Sequence, residues 1–441
     1  MTDVRRGIYT LLLSFILVLG FLLRTNNLYV WPRLGATFDE YAWTWQGINL
    51  IQNGVPTSWS PHALYTNLTL IKYQGAYFRL VTPYLEHPPM FGLVAGSYAL
   101  LNGVTDMRDL DIWDIRGLAV ILGMVSILFV YLLTNKLYGR KAAILASFLY
   151  AIVPTIAVGS RLVQNENFII PIWLATLLIT AINLEKKKLP LTLLGGLLCA
   201  IAILAKLPFV AVGLSIIGIY ILNKRYKDAF VTGCFIVVGF LSFVLYGFYY
   251  DKILFLNLLK FQSQRYDLLY DSVYSIFRRP LLVDRSYTDG WIYWGWISFF
   301  ILALRDFKKN SFIIIATLSY LAIYIAGIPD EPGHGWYRYP FYPFLIISIA
   351  LFLKEYFSKN ILLTFVFLVF IGSSLLQLTF FQIFGFSFLI LRGSIVLWGI
   401  TLLPLFFPSK QTFIVSKIVS YGLLIGYFLC SICAILIYNE Q

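Results

Sequence analysis

Charged residues, cysteine and histidine are all scarce in this sequence. Only 12% of the 441 residues are charged, whereas 59% are hydrophobic. Soluble domains carry about 25% charged residues, so this composition excludes a soluble globular protein and indicates an integral membrane protein. The net charge of +13 would suggest a nucleic-acid partner in a soluble protein. Here we expect no nucleic acid, because basic loops that fix membrane topology account for much of the charge.

The few cysteines exclude a disulfide-stabilised scaffold. Cys199, Cys234, Cys430 and Cys433 all fall within apolar runs, where no disulfide framework is visible. The last two have C-x-x-C spacing, but inside a predicted spanning helix small packing residues are favoured over a redox or metal pair. The first apolar segment lacks a small-residue cleavage site, which predicts a retained anchor.

Long apolar segments are what the chain has in abundance. They lie at about 7–23, 116–134, 142–159, 167–183, 190–205, 208–222, 229–250, 291–304, 311–328, 338–353, 361–378, 386–405 and 412–438. Because about 20 apolar residues span a bilayer, they predict an all-α integral membrane protein with about thirteen transmembrane helices. We divide it into a transmembrane module, 1–405, with outer loops 24–115 and 251–290, and a C-terminal transmembrane helix within 406–441.

Basic loops set the predicted orientation. Short loops rich in lysine and arginine, which should be cytoplasmic, lie near residues 136–141, 186–188, 224–227, 305–309 and 354–359. A weaker apolar run, 89–104, would move the following loops outside if it crossed the bilayer. We therefore predict that it is a re-entrant or interfacial helix. Most carboxylates then face outward, which predicts a multi-pass plasma-membrane protein with an outward-facing active site.

Two adjacent carboxylates, Asp39 and Glu40, follow the first apolar segment within the aromatic-rich stretch 36–45. Carboxylates near a membrane boundary are costly unless they are hydrated, paired or used. One interpretation is a helix start, with Thr37 and Glu40 as a capping box, Asp39 favoured by the helix dipole and Gly54 ending the helix. The other is a catalytic site, and this stretch alone favours neither.

Basic residues also occur in loops that are predicted to lie outside. Arg161 precedes Glu166 in one such loop, Lys206 lies at the tip of a tight hairpin, and His334 and Arg338 share a third loop. Each cation could reach lipid phosphate alone. Three such loops opposite a carboxylate pair indicate a site for an anionic, phosphate-bearing ligand. Arg392, within a predicted span, is a fourth candidate cation. The second long loop is an amphipathic stretch that contains Arg265, Arg278, Arg279 and Arg285.

Three short motifs resemble those of the protein O-mannosyltransferases. They are F-D-E at 38–40, H-P-P at 87–89, and S-R at 160–161 followed by an acid. The arrangement of spans with two long outer loops is similar to the lipid A aminoarabinose transferases. The resemblance implies a GT-C-type bundle with outer juxtamembrane helices and a polyprenyl-phosphate sugar donor. Two features depart from the mannosyltransferase pattern: Met90 stands where a lysine follows H-P-P, and no soluble domain occupies the second long loop.

The resemblance nominates Asp39 as a general base that deprotonates the acceptor, with Glu40 orienting or pairing. Cations must stabilise the departing phosphate, and a base with a phosphate clamp predicts inversion at the anomeric carbon. The expected phosphate-binding residues are Lys206, Arg338 and Arg161. The expected sugar or acceptor pocket comprises His87, Glu86, Glu166, His334 and Tyr339. No cofactor is required; carboxylates suit Mg²⁺ or Mn²⁺, but no cluster of metal ligands compels either ion.

The sequence therefore predicts a membrane glycosyltransferase that acts on the extracytoplasmic face, with a polyprenyl-phosphate-linked sugar, membrane lipids and a glycan, lipid or protein acceptor as partners. A lipid or sugar transporter, or flippase, with an outward phosphate-binding pocket is the alternative. Against it, no internal repeat of the kind common in secondary transporters is visible. A non-catalytic scaffold also remains open.

Overall fold

The computed structural model describes residues 3–33, 35–264, 269–277, 282–283, 289–328, 334–376, 385 and 387–439. The helices are α1 Asp3–Thr25, α2 Asp39–Asn53, α3 Met90–Leu101, α4 Arg116–Tyr138, α5 Arg140–Ile152, α6 Pro154–Gly159, α7 Asn165–Lys186, α8 Leu189–Ala205, α9 Val210–Leu222, α10 Tyr226–Ser263, α11 Leu269–Ile276, α12 Gly290–Arg305, α13 Ser311–Gly327, α14 Tyr342–Glu355, α15 Ile361–Leu375, α16 Phe388–Thr401, α17 Leu403–Phe406 and α18 Lys410–Leu436. The strands are β1 Ser58–Trp59, β2 Leu68–Tyr73 and β3 Ala76–Val81, which pair antiparallel in the order β1-β3-β2.

Six helical stretches are long and apolar enough to cross a membrane, by length and composition. They are Gly7–Thr25, Ile112–Tyr138, Asn165–Lys186, Tyr226–Ser263, Gly335–Glu355 and Lys410–Leu436. Shorter apolar helices accompany them, at Met90–Leu101, Leu189–Ala205, Leu207–Leu222, Ser311–Gly327, Ile361–Leu375 and Phe388–Thr401. The predicted all-α membrane architecture is confirmed, while the count of about thirteen spans and the division near residue 405 stay predictions.

The segment that the sequence predicts as the first long outer loop is folded. It contains α2, α3 and the small sheet, whose β2–β3 hairpin turns at Gln74 and Gly75, both with positive φ (45° and 83°). A two-residue turn with two positive φ angles matches the twist of paired strands. The rings of Tyr73 and Phe78 pack against Trp45 of α2, with centroids 5.1 and 5.9 Å away. The sheet therefore braces α2 from one side.

Helix α3 braces α2 from the other side. Its twelve residues are about 18 Å long, shorter than the roughly 30 Å hydrocarbon core. Glycines line its contact with α2: a Cβ on Gly47 would lie 1.8 Å from the carbonyl oxygen of Gly92, and one on Gly96 would lie 2.5 Å from the carbonyl carbon of Gly47. The two helices thus meet backbone to backbone. The prediction that 89–104 does not cross the bilayer stays a prediction, since helices almost as short, such as α9 with 13 residues, lie in predicted spans.

Helix α10 bends sharply at Asp251, whose φ of −161° and ψ of 99° are not helical. The Asp251 carboxylate accepts a hydrogen bond from the Leu254 amide at 2.9 Å, which starts the helix again. Gly247 permits the bend, because a Cβ there would lie 2.3 Å from the ring of Phe255. We call residues 252–263 the juxtamembrane segment. It folds back over the first outer loop and brings its last residues to the cavity described below.

Candidate active site

One cavity of about 680 Å³ gathers most of the predicted site residues. Asp39 comes from the first turn of α2, Glu166 from the first turn of α7, and Lys206 from the residue after α8. The full lining comprises Asp39, Ala42, Trp43, Trp59, Pro61, His62, Tyr84, Glu86, His87, Pro88, Glu166, Lys206, Leu207, Pro208, Leu259, Gln262, Ser263, Tyr320, Gly327, Ile328, His334 and Tyr337. The chain has three histidines, and all three lie in this lining. Chemistry-bearing side chains are therefore concentrated here.

An ion pair occupies the wall beside Asp39. Lys206 Nζ donates to Glu166 Oε1 at 2.7 Å, and the ammonium also lies 4.4 Å from the ring centroid of Tyr337. Glu166 is 1% exposed, and among the described residues its second oxygen, Oε2, has no hydrogen-bond partner. A buried acceptor without a donor is costly. The pair thus leaves one buried acceptor of Glu166 without a described donor.

The Asp39 side chain is half-buried on the cavity wall. Burial raises the pKa of Asp39 above its ordinary value, His334 and Lys206 act in the opposite direction, and the Glu166 carboxylate raises it again. The neighbouring Gln164 amide lowers the pKa of Asp39. Gln164 Oε1 accepts from Trp43 Nε1 at 3.2 Å, and its Nε2 donates to the Thr37 hydroxyl at 3.3 Å. A carboxylate with a raised pKa in a cavity has the properties of a general base.

Glu40, the other carboxylate of the pair, faces away from the cavity. Its Oε1 accepts from Arg116 Nε at 3.2 Å and from the Val163 amide at 3.0 Å, and its Oε2 accepts from Arg116 Nη2 at 3.0 Å. Arg116 Nη1 also donates to the carbonyl oxygens of Leu28 and Pro32, at 2.8 and 2.7 Å. This buried hub joins α2, α4 and the loops before α2 and α7. Glu40 therefore positions the helix start that carries Asp39.

The predicted capping box is wrong. Phe38, not Thr37, precedes α2 as its cap, and it makes no side-chain capping bond. The Thr37 hydroxyl accepts a hydrogen bond from the Asp39 amide at 3.2 Å, while the Glu40 carboxylate is drawn to the buried guanidinium of Arg116. The predicted end of the helix is confirmed, since Gly54 has a left-handed φ of 69°.

The predicted phosphate-binding cations separate into two groups. Lys206 lines the cavity, whereas Arg161 is fully buried outside the lining and donates to the carbonyl oxygens of Leu23 and Trp31 at 2.8 and 3.1 Å. Arg338 is buried in a 3₁₀ turn before α14 and is not part of the lining. Arg265, Arg278, Arg279 and Arg285 lie outside the described residues, and so do Asp330 and Glu331 of the third loop.

The predicted sugar or acceptor pocket is largely brought together. Glu86, His87, Glu166 and His334 all line the cavity. Tyr339 does not, and its hydroxyl donates to the carbonyl oxygen of Leu282.

Sequence reasoning missed His62, Gln262 and the buried partner Arg116. The rarity of histidine could have singled out His62, and an arginine at the outer end of a predicted span could have singled out Arg116.

Metal binding stays untested. Within the part of the chain that the structure describes, no group of three or more histidine, cysteine, aspartate or glutamate residues is arranged to hold a metal ion.

Comparisons with known proteins bear on the fold. The sequence profile described as dolichyl-phosphate-mannose-protein mannosyltransferase matches residues 86–249, a range that contains Glu86, His87, Glu166 and Lys206 but not Asp39. A sequence comparison with curated proteins gives no match.

Similar folds occur among solved structures. ArnT from Cupriavidus metallidurans bound to undecaprenyl phosphate is 13% identical, with a TM-score of 0.56 over 98% of this chain and 78% of that chain. Its apo state gives the same identity and TM-score over 99% of this chain. The archaeal oligosaccharyltransferase AglB from Archaeoglobus fulgidus, in complex with an inhibitory peptide and a dolichol-phosphate, is 14% identical, with a TM-score of 0.51 over 100% of this chain and 57% of that chain.

The profile match and the shared fold agree with each other. Together they confirm the predicted resemblance to glycosyltransferases of the GT-C type, and the chain is a multi-pass membrane protein with the GT-C fold.

Proposed function

We propose that this protein transfers a sugar from a polyprenyl-phosphate donor to an acceptor on the extracytoplasmic face of the membrane, with inversion at the anomeric carbon. The observation that carries the proposal is the presence of Asp39, with its raised pKa, in one cavity with the Lys206–Glu166 pair. A base and a cation are what glycosyl transfer from a lipid phosphate requires. The volume of about 680 Å³ falls in the range of about 300–1,000 Å³ that is typical of small-molecule sites.

In the proposed reaction the oxygen of the acceptor hydroxyl bonds to the anomeric carbon of the sugar, and Asp39 accepts the proton that this hydroxyl loses. The bond between that carbon and the phosphate oxygen breaks, and its electron pair leaves with the phosphate. Lys206 is the one lysine or arginine among the described lining residues. Its ammonium group would stabilise the charge that develops on the departing phosphate.

Glu166 supports a hydroxyl-bearing ligand. One of its oxygens pairs with Lys206, and the other has no donor among the described residues. A sugar hydroxyl would supply that donor and remove the cost of an unsatisfied buried oxygen. Because the Glu166 carboxylate also raises the pKa of Asp39, the same residue would bind the sugar and tune the base.

The polyprenyl-phosphate donor is supported by the solved structures with this fold. ArnT was determined with undecaprenyl phosphate, and AglB with a dolichol-phosphate. The acceptor is open, since a glycan, a lipid or a protein would each present a hydroxyl or an amine to the base. This chain spans just over half the length of AglB, so the peptide bound there does not identify the acceptor here.

The test is Asp39→Asn in the purified full-length chain. An amide of nearly the same shape cannot accept the proton, so transfer should fall by about 10²–10⁴-fold. Initial rates would be measured with polyprenyl-phosphate sugars and a screen of acceptors.

Asp109→Asn is the matched control, because Asp109 is exposed in the same outer loop, and it should turn over at the wild-type rate. A folded Asp39→Asn chain with full activity would refute the mechanism. A wild-type chain that translocates the lipid without transferring sugar would instead support the transporter.

A further inference from the structure

A second polar cluster at the cavity wall is formed by His62 and Glu86, which line the cavity, and by the buried Ser60 behind them. His62 Nε2 lies 3.3 Å from Glu86 Oε2, and the Ser60 hydroxyl donates to Glu86 Oε1. The backbone amide of His62 in turn donates to the Ser60 hydroxyl oxygen at 3.0 Å. This short turn after β1 and the loop before α3 therefore hold the imidazole and the carboxylate in one arrangement.

The contact with Glu86 indicates which nitrogen of the His62 imidazole donates a hydrogen bond and which one can accept. The nitrogen that faces a carboxylate carries a proton, because a carboxylate can only accept. Nδ1 of a neutral His62 is then a hydrogen-bond acceptor. Both oxygens of Glu86 are occupied, one by Ser60 and one by His62, so Glu86 acts on a ligand chiefly through the ring that it orients.

The juxtamembrane segment encloses this ring. Phe261 packs edge to face on His62 with centroids 4.7 Å apart, and Gln262 Nε2 lies 3.5 Å from His62 Nε2. The side chain of His62 is 13% exposed, yet the residue lines the cavity together with Trp59 and Tyr84. The exposed part of the His62 side chain therefore includes atoms on the cavity wall.

We propose that His62, oriented by Glu86, binds a carbohydrate hydroxyl in a subsite of the cavity. This inference rests on the proposed glycosyl transfer. A neutral, polyhydroxylated ligand fits better than phosphate, because the Glu86 carboxylate lies beside the ring and would repel an anion. The aromatic side chains of Trp59 and Tyr84 supply apolar surface for the C–H face of a sugar ring. The hydroxyl belongs either to the transferred sugar or to a sugar acceptor, and experiment can distinguish the two.

The first experiment measures binding to the purified full-length chain. Its probes are farnesyl phosphate, which has no sugar, and a panel of farnesyl-phosphate hexosides and pentosides. If His62 contacts the transferred sugar, His62→Ala should weaken the best glycoside by about ten-fold, the usual effect of one hydrogen bond. The Kd of farnesyl phosphate should not change. Lys260→Ala, on the exposed face of the juxtamembrane segment, should leave every Kd unchanged.

The second experiment measures KM for a panel of methyl glycosides as acceptors, with the best donor. If the hydroxyl belongs to the acceptor, His62→Ala should raise this KM by about ten-fold and leave the Kd of each donor probe unchanged. His62→Gln should recover part of the lost affinity in either case, because an amide can still accept a hydrogen bond. It also serves as the second variant if His62→Ala does not fold.

The outcomes are distinct. The subsite is refuted if Kd and KM of both His62 variants stay within two-fold of wild type. It is also refuted if no farnesyl-phosphate glycoside binds the wild-type chain more tightly than farnesyl phosphate and no methyl glycoside acts as an acceptor. A wild-type chain that binds none of the farnesyl-phosphate probes refutes the proposed function itself, which is a different result.

Discussion

Two carboxylate–cation pairs differ in how completely they are satisfied. In the hub around Glu40 and Arg116, both carboxylate oxygens and every guanidinium nitrogen have partners, and both side chains are buried. In the cavity, Lys206 satisfies only one oxygen of Glu166, and the other has no partner among the described residues. The first pair is fully satisfied within the fold, whereas the second leaves one buried acceptor without a described donor.

The largest expected effect is on the free energy of unfolding, which should depend on the Glu40–Arg116 pair. Arg116→Ala should lower the free energy of unfolding by about 3–5 kcal/mol, because it leaves the Glu40 carboxylate buried without its cation. Denaturant or thermal unfolding in detergent would measure the loss. The control is Arg108→Ala, which removes a pair with Asp106 whose side chains are 69% and 40% exposed; it should cost no more than about 1 kcal/mol. Equal losses in the two variants would contradict a structural role for the hub.

A smaller effect, on binding, should distinguish the Lys206–Glu166 pair. Lys206→Met should weaken binding of a polyprenyl phosphate by about ten- to a hundred-fold, since a charge-assisted contact contributes about 1.5–3 kcal/mol. Isothermal titration of the purified chain with undecaprenyl phosphate would measure it. Lys260→Met, which removes an exposed lysine of the juxtamembrane segment, is the control. Unchanged affinity in the folded Lys206 variant would mean that this lysine serves only Glu166.

The smallest effect concerns pH. Asp39 must be ionised to act as a base, and its pKa is raised by burial and by Glu166 and lowered by His334 and Lys206. The acid limb of kcat should therefore lie above the ordinary aspartate value of about 3.9. Activity should rise as pH increases through that limb and fall as pH drops below it.

Two substitutions beside Asp39 should move the acid limb of the kcat profile in opposite directions. Glu166→Gln removes a negative neighbour and should shift the limb to lower pH, whereas Lys206→Met removes a positive neighbour and should shift it to higher pH. Profiles of kcat against pH under saturating substrate would show the shifts. A limb that stays fixed in both variants would mean that a different group limits the rate.

Much of the fold follows from composition along the chain. Apolar segments of the right length partition into the bilayer, so the helices could be predicted from hydropathy alone. The folded outer loop could be anticipated only in outline, because its apolar residues exclude disorder without specifying a sheet. The hairpin at Gln74 and Gly75 was not predicted, although its turn chemistry is common.

The candidate site was predicted in part. Asp39, Glu86, His87, Glu166, Lys206 and His334 were named from the sequence, and they meet at one cavity. Arg161, Arg338 and Tyr339 were named as well, but they lie outside its lining. The charge of an outer-loop residue shows that it needs a partner, but not whether that partner is a ligand or a backbone carbonyl. For Arg161 the described partners are carbonyl oxygens.

The sequence by itself determined the membrane class, the helical architecture and the presence of two adjacent carboxylates at a helix start. Only the tertiary structure showed that Asp39 lines the cavity while Glu40 pairs with the buried Arg116. Successive residues of an α-helix point about 100° apart, so Asp39 and Glu40 necessarily face different surroundings. Arg116, which meets Glu40, is 76 positions away in the chain. No local pattern encodes such a contact, because it arises where the folded chain brings the first turn of α2 beside the first residue of α4.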